Sequence, residues 1–209
     1  MILDLHSHSV RSDDGRAKVE NYCQWIRRKE LPLDGFVLTE HRQFDAESDY
    51  RKLEDEFGLV ILKASEVETE YGHVLLFGVN DGLQDALDLS RIDLPLAHVL
   101  AEARKHDAIA VPCHPGRVTV GMCAHVETLG PVDGVEVIET LNGGSRGTEN
   151  EEAIALAEQH GYRGVGGSDA HIVSFVGRCA TRFDNDVRSI QDLVRELRGG
   201  AFEAVSFRD

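Results

Sequence analysis

The sequence predicts an α/β fold, a closed barrel of about seven strand–helix units in a single domain over residues 1–209. Apolar runs of strand length alternate with stretches of helical periodicity along the whole chain, which is typical of a mainly parallel sheet covered by helices. About seven such units in one domain favour a closed barrel over an open sheet. Histidines and carboxylates recur after the strands, where barrel enzymes place their active sites.

Composition and cysteine usage limit the class of protein. The 209 residues are 42% hydrophobic and 28% charged, ordinary values for a soluble globular domain. No apolar run approaches the roughly 18 residues that a membrane span needs, and the N-terminus lacks the layout of a signal peptide. The cysteines lie far apart and form no CxxC pair: Cys23, Cys113, Cys123 and Cys179. We therefore expect reduced core or near-site thiols in a cytoplasmic protein.

The net charge limits the partners. A formal net charge of −15 argues against a large basic surface for duplex nucleic acid. It leaves room for a small phosphorylated substrate, because bound divalent ions can reverse the charge of a site locally. We expect no duplex nucleic acid and no membrane as partners, and the sequence leaves the oligomeric state open.

The first strand carries the strongest single signal. Apolar and polar residues alternate over residues 2–8, which is the period of a strand, so that His6 and His8 point to the same face. Two imidazoles side by side at a strand end form half of a metal site. The loop behind them contains Asp13, and the adjacent Asp14 could take its place if the loop turns one residue later.

The remaining elements follow in order. We expect helices over residues 16–29, 47–57, 95–106, 147–160 and 188–198, and strands over 35–39, 59–62, 72–78, 108–112, 132–138, 164–166, 179–183 and 202–207. Pro32 ends the first helix, while Asp186 or Ser189 begins the last one. Residues 81–93 are acidic with weak periodicity and predict a surface connection, and residues 118–129 are ambiguous.

Nine imidazoles and carboxylates lie at or near the ends of these strands. They are His6, His8, Asp13, His41, Glu66, His73, His114, Asp169 and His171. These groups are the ligands that suit zinc, iron or manganese. One such histidine is more often a core or surface residue, but nine groups over six successive strand ends indicate a metal site. The other histidines fall on helices or in the ambiguous segment and are expected to be structural.

The order of six short motifs resembles the PHP family, which is named after polymerase and histidinol phosphatase domains. The motifs HxH, TEH, SEVET, GHVLLFG, HPGR and GGSDAH cover the chain from Asp4 to His171. The resemblance implies a distorted, TIM-like (β/α)7 barrel with two to three divalent ions (Zn, Mn or Fe) in its mouth. Its first ion would be held by His6, His8, Glu66 and Asp169, its second by Glu66, His73 and His114, and its third by Asp13, His41 and His171. Glu40 stands where the family often has aspartate.

This site predicts a metal-dependent phosphoesterase that hydrolyses small phosphate esters: a nucleotide, a short oligonucleotide, or a sugar or amino-alcohol phosphate. A site with few carboxylates among its ligands keeps a net positive charge, which suits phosphate. A hydroxide bridging two ions could attack phosphorus, since coordination lowers the pKa of water to about 7. Glu66 would hold the two ions at reacting distance, and Asp169 or His171 could move the proton.

Three arginines are candidates for substrate binding. Arg117 follows the HPG turn and could grip a phosphate with two parallel hydrogen bonds. Arg42 lies beside the histidine of TEH, and Arg178 follows the GGSDAH motif. Each of the three could instead be a surface ion-pair partner.

Two other functions stay open. The first is metal-assisted C–N or C–O hydrolysis of an uncharged substrate, of the wider amidohydrolase type. The absence of an evident carboxylated lysine and the presence of Arg117 count against it. The second is a barrel that binds metal without catalysis. The complete set of ligands counts against it.

Overall fold

A computed structural model of the protein describes residues 1–207. Its strands are β1 (Ile2–Ser7), β2 (Gly35–His41), β3 (Val60–Thr69), β4 (Gly72–Phe77), β5 (Ile109–Pro112), β6 (Val137–Asn142), β7 (Arg163–Gly167), β8 (Cys179–Phe183) and β9 (Phe202–Ser206). Its α-helices are α1 (Val19–Arg28), α2 (Arg51–Phe57), α3 (Asp81–Ala86), α4 (Leu96–Lys105), α5 (Met122–Leu129), α6 (Glu149–His160) and α7 (Ile190–Gly199), and one 3-10 turn covers Val173–Phe175.

The strands form a seven-stranded sheet in the order β5-β4-β3-β2-β1-β8-β9 and a separate ribbon of β6 and β7. The pairs β1–β2, β2–β3 and β6–β7 are parallel, whereas β3–β4, β4–β5, β1–β8 and β8–β9 are antiparallel. The α/β class is confirmed, but the expected mainly parallel sheet is wrong. One reason is that only Glu70 and Tyr71 separate β3 from β4, too short a connection for a parallel crossover.

The ribbon closes much of the gap between the two sides of the curled sheet. After β7, the amide of Asp169 donates to the carbonyl of His6 (2.7 Å), and the amide of His8 donates to Ala170 (2.9 Å). On the other side, the amide of His114 donates to the Glu139 carboxylate on β6 (2.8 Å). The predicted closed (β/α)7 TIM-like barrel is therefore replaced by a curled half-barrel sheet with a ribbon, and no backbone ladder joins β5 to β6 within residues 1–207.

Helix α1 packs on the outside of the sheet and supports the ends of β1 and β7. Its buried residues Val19, Tyr22, Cys23 and Ile26 have the spacing of one helical face. The Tyr22 hydroxyl lies 2.7 Å from the carbonyl oxygen of His8 and 2.8 Å from that of Ala170. The helix thus fixes the backbone at the point where the predicted ligands begin.

Several element bounds differ from the sequence prediction. The sixth strand begins at Val137 instead of residue 132, because residues 133 and 134 form a turn. The supposed surface connection contains helix α3, which Asn80 caps and whose Leu83 is buried. The ambiguous segment contains helix α5. Helix α7 begins after Ser189, whose hydroxyl accepts a hydrogen bond from the Asp192 amide. Across residues 1–207, no helix combines the length and hydropathy needed to cross a bilayer.

Candidate metal centre

Eight of the nine predicted ligands meet at one end of the curled sheet. Glu66 on β3 lies in the middle of them, with Oε2 within 3.3 Å of nitrogens of His6, His8 and His41 and Oε1 within 3.1 Å of nitrogens of His73 and His114. Asp169 and His171 follow β7 and contact the same group. The structure therefore brings these eight side chains together, and their assignment as ligands stays a prediction.

The first cluster consists of His6, His8, Glu66 and Asp169. The two histidine Nε2 atoms are 3.1 Å apart, and each lies 3.2–3.4 Å from Glu66 Oε2 and from Asp169 Oδ1. Ligand atoms bound to zinc at about 2.0–2.1 Å in tetrahedral geometry are separated by roughly 3.3 Å. All four side chains are buried. The donor atoms are thus of the type that binds metal, and each histidine nitrogen lies at tetrahedral spacing from both carboxylates.

Glu139 orients the ring of His6 within this cluster. Its Oε1 lies 3.1 Å from Nδ1 of His6, which leaves Nε2 to face the cluster. Its Oε2 accepts hydrogen bonds from the His114 amide and from the Asn142 side chain, both at 2.8 Å. A carboxylate on the outer nitrogen of a ligating histidine fixes its tautomer and raises its basicity. Glu139 is not among the site residues predicted from the sequence.

Glu40 has a similar supporting role on the side of His8. It accepts hydrogen bonds from the hydroxyls of Ser9 and Ser12, each at 2.6 Å. The Ser12 hydroxyl lies 3.3 Å from Nδ1 of His8 and accepts from the His41 amide at 3.0 Å. Glu40 therefore anchors the loop after β1 and lies behind the predicted ligands.

The second cluster consists of Glu66, His73 and His114, with Cys113 beside them. Glu66 Oε1 lies 2.7 Å from Nδ1 of His73 and 3.1 Å from Nε2 of His114. The Cys113 sulfur is 3.4 Å from that oxygen and 3.4 Å from Nε2 of His114. Sequence reasoning allowed near-site thiols but did not single out Cys113 as a site residue.

The third cluster consists of His41, His171 and Asp14. The two Nε2 atoms are 3.3 Å apart, and the Asp14 carboxylate lies 3.4 Å from His41 and 3.1 Å from His171. Asp13 instead pairs with Arg42 at 3.1 Å, and its side chain is 71% exposed. Asp14, the alternative to Asp13, therefore lies against the two histidines because the loop turns one residue later than expected, and its role as a ligand stays a prediction.

The side chains of the first cluster shift one another's pKa values. Burial opposes ionisation of Glu66 and Asp169, yet the positive charge of His6 and the hydrogen bonds from neighbouring imidazoles hold both carboxyl pKa values well below normal. Burial also opposes charge on His8, but hydrogen bonds to Asp169 and Glu66 raise its pKa to about 9. The metal-free cluster therefore holds protons that a bound ion would displace.

Two of the predicted ligands lie on strained backbone. His114 has φ of +33° and Asp169 has φ of +53°, in a region that costs non-glycine residues on the order of 1–3 kcal/mol. Such a conformation persists where the surroundings hold it, and both residues are tied by amide hydrogen bonds to Glu139 and His6 respectively. The strain coincides with the turns that direct these side chains into the clusters.

A cleft of about 310 Å³ lies above the clusters and contains two of the predicted arginines. Arg117 contacts the Asp169 carboxylate and lies 3.1 Å from Oδ1 of Asn142. Arg42 pairs with Glu68 and with the exposed Asp13. Both guanidinium groups are therefore held by carboxylates at the edge of the clusters.

Arg178, the third predicted arginine, lines a different cavity. That cavity, next to the cleft, is lined by Gly143, Gly144, Ser145, Arg146, Phe175, Arg178 and Phe207. The Arg178 guanidinium lies over the ring of Phe175, 3.4 Å from its centroid. The structure thus separates Arg178 from the other two arginines.

Comparisons with known proteins point to the same family as the motifs. A family model described as PHP-associated matches residues 147–202. A two-domain protein from Bacteroides vulgatus ATCC 8482, described as containing a predicted PHP-like metal-dependent phosphoesterase, is similar with a TM-score of 0.66 and 21% identity over 99% of this chain and 64% of that chain. These findings support a PHP-family protein, the family that the six motifs indicate.

Two further structures share the fold of this chain. PsfC from Pseudomonas syringae PB-5123 has a TM-score of 0.73 and 22% identity, over 98% of this chain and 91% of that chain. A lesion-specific endonuclease from Pyrococcus furiosus has a TM-score of 0.69 and 14% identity, over 97% of this chain and 57% of that chain. No curated protein matches this chain in sequence.

Proposed function

We propose that this PHP-family protein is a metal-dependent hydrolase that cleaves small phosphate esters, with a nucleotide or another monoester as the preferred class. The spacing of the first cluster is the observation that carries the proposal, since the buried Nε2 atoms of His6 and His8 are 3.1 Å apart and each lies 3.2–3.4 Å from a carboxylate oxygen of Glu66 and of Asp169. The description of the Bacteroides vulgatus protein as containing a predicted metal-dependent phosphoesterase supports the same reaction class.

Three groups of side chains would hold the ions. His6, His8, Glu66 and Asp169 would bind the first, Glu66, His73 and His114 the second, and Asp14, His41 and His171 the third. Zinc, manganese and iron all accept such imidazole and carboxylate ligands. When bound, divalent ions lower the pKa of coordinated water and stabilise negative charge on phosphate oxygens.

The charge of the cleft supports an anionic substrate only when ions are bound. Its walls carry five carboxylates and two guanidinium groups, a formal charge of −3 with neutral imidazoles. Such walls alone would repel a phosphate. Two or three divalent ions would make the charge positive, so that metal binding and phosphate binding are coupled.

The chain's own residues would position the phosphate and move protons. Arg117 already contacts Asp169 and Asn142. Its planar guanidinium group is therefore held at the edge of the first cluster, where it can bind phosphate oxygens. Arg42 is the second candidate. His171 has a pKa lowered by burial and by the charge of His8, so its imidazole is neutral near pH 7. With two ions bound, its Nε2 can accept a proton from water or return one to the leaving oxygen.

The size and charge of the protein favour a small substrate. The net charge of −15 disfavours approach of a long nucleic acid at moderate salt. The cleft of about 310 Å³ is at the lower end of the volumes that bind drug-sized ligands, about 300–1,000 Å³. The similar fold of a lesion-specific endonuclease makes a DNA duplex the control substrate that the test must include.

The proposal is tested by loading the metal-free protein with Mn²⁺, Zn²⁺ or Fe²⁺ and assaying phosphorylated metabolites, dinucleotides, amides, lactones and an abasic duplex. We expect metal-dependent phosphate release from a small ester. Arg117→Ala should raise the KM for that ester, while Arg146→Ala, outside the cleft, should leave it unchanged. Turnover of amides or lactones alone would favour the amidohydrolase alternative. Bound metal without any turnover would favour the non-catalytic barrel.

A further inference from the structure

Cys113 occupies a position between the core and the second cluster. It directly follows β5 and precedes His114, and its side chain is fully buried. Its amide donates to the carbonyl of His73 at 3.1 Å, so the backbone at this point is tied to the strand that carries another predicted ligand. The sulfur is thereby held at a fixed place beside Glu66.

The sulfur faces two predicted ligand atoms at once. It lies 3.4 Å from Glu66 Oε1 and 3.4 Å from His114 Nε2. Ligand atoms of His6, Glu66, Cys113 and His114 all lie within 4.8 Å of one another. With zinc–sulfur bonds of about 2.3 Å and zinc–nitrogen bonds of about 2.0–2.1 Å, tetrahedral geometry separates sulfur from nitrogen by roughly 3.5 Å.

The other cysteines lack such surroundings. Cys23 lies on the buried face of α1, in the core with residues of β2, and Cys179 lies in β8, where its sulfur is 3.9 Å from the Ser206 hydroxyl. Cys123 is half-buried on α5, with its sulfur 3.8 Å from the Glu152 carbonyl. Among residues 1–207, only Cys113 joins a group of potential metal ligands.

We propose that Cys113 binds the second ion as a thiolate, together with Glu66, His73 and His114. On binding, the thiol proton leaves to solvent and a sulfur lone pair forms the metal–sulfur bond, without any change of oxidation state. Thiolate is a soft ligand that favours zinc over manganese or magnesium. The second position is therefore selective for zinc, whereas the third, built from two imidazoles and one carboxylate, lacks that preference. This inference rests on the metal binding of the proposed function.

The test is the absorption spectrum of the protein titrated with Co²⁺. Cobalt bound to nitrogen and oxygen shows ligand-field bands in the visible range, and a bound thiolate adds a sulfur-to-cobalt charge-transfer band in the near ultraviolet. We expect both in the wild-type protein. Cys113→Ser should keep the visible bands and lose the charge-transfer band, whereas Cys123→Ser, the control, should keep both.

Metal selectivity provides a second readout. Loss of a residue that only supports a metal ligand lowers metal affinity by roughly 10–100-fold. Loss of Cys113, a direct ligand, should lower the zinc affinity of the second position by at least as much. Manganese affinity should change much less, so the ratio of the two affinities falls in Cys113→Ser. An unchanged ratio would contradict the thiolate assignment.

The outcomes separate this inference from the proposed function. Cobalt that binds with visible bands but no charge-transfer band would overturn the role of Cys113 and leave the metal centre intact. Absence of any bound cobalt, zinc or manganese would overturn the proposed function itself. Should Cys113→Ser and Cys113→Ala both fail to fold, zinc-edge X-ray absorption of the wild-type protein decides. A sulfur neighbour at about 2.3 Å supports the proposal, and a shell of nitrogen and oxygen alone overturns it.

Discussion

At the scale of single residues, Glu66 holds the centre together. One carboxylate oxygen faces His6, His8 and His41, and the other faces His73 and His114. Burial alone would raise its pKa, but the surrounding imidazoles keep it well below normal. A carboxylate that stays ionised and presents both oxygens is suited to bridge two ions.

Glu139 supports the first cluster from behind, and its removal tests that role. In Glu139→Gln, His6 loses the charged acceptor on Nδ1, so the affinity for the tightest ion should fall by roughly 10–100-fold. Competition with a chromophoric chelator measures it. Glu136→Gln is the matched control, because Glu136 pairs with the exposed Arg104 instead. Equal affinities in the two variants would contradict the role of Glu139.

The neighbouring aspartates after β1 give a second test at this scale. Asp14 lies against His41 and His171, whereas Asp13 lies against Arg42. We expect Asp14→Asn to reduce the number of bound ions by one and Asp13→Asn to leave it unchanged, as counted by elemental analysis. The reverse result would restore Asp13 as the ligand.

At the scale of elements, the turns after β1, β5 and β7 bring the ligands together. The turn after β7 depends on close approach of its backbone to β1. A Cβ at Gly167 would lie 2.4 Å from Cβ of His6 and 2.7 Å from Oε1 of Glu139. Glycine is required there because nothing larger fits between the ligand and its support.

Gly167→Ala should therefore disturb the first cluster. Overpacking of this kind costs typically about 1–3 kcal/mol, and the shift of His6 should also weaken metal binding. Thermal unfolding and metal titration measure the two effects. Gly199→Ala is the control, since a Cβ there meets nothing within 4 Å. A Gly167→Ala protein with unchanged stability and metal affinity would contradict this account of the turn.

Elements with clear apolar runs and marked ends could be predicted from the sequence. Strand β1 and the two histidines at its end follow from the alternation of apolar and polar residues, and the start of α7 follows from its cap at Ser189. Strand β3 was predicted too short, because its second half carries polar residues, among them Glu66 of the clusters. That error hid the tight hairpin to β4, and with it the antiparallel pairing.

The supporting residues could not be predicted in the same way. Glu139 lies within β6, whose predicted position was too early, and its partners His6 and His114 are distant in sequence. Cys113 resembles a core residue in its apolar surroundings. The choice between Asp13 and Asp14 depends on where the loop turns, and two neighbouring aspartates do not show this in the sequence.

At the scale of the whole molecule, charge couples metal binding, stability and pH. Without ions, the protonated pair His6 and His8 balances the ionised Glu66 and Asp169 in the buried first cluster. Bound ions take the place of those protons. Loaded and metal-free protein should therefore respond differently to alkaline pH.

The metal-free protein should lose stability as pH rises. The pKa of His8 is about 9 in the folded state and about 6.5 when unfolded. Its stabilising contribution is thus complete below about pH 6.5 and is lost as pH rises through about 9, on the order of 3 kcal/mol. Thermal unfolding between pH 6 and 9.5 measures the loss, which metal-loaded protein should not show. A metal-free protein with constant stability over this range would contradict the assigned protonation.

The most direct test of a phosphoesterase built on this metal centre is phosphate release from a small ester, measured against equivalents of metal added to metal-free protein. We predict no release at zero equivalents, a rise that levels off at two to three equivalents, and none at any loading in His8→Ala. Equal release by metal-free protein, or by His8→Ala, would contradict the central claim.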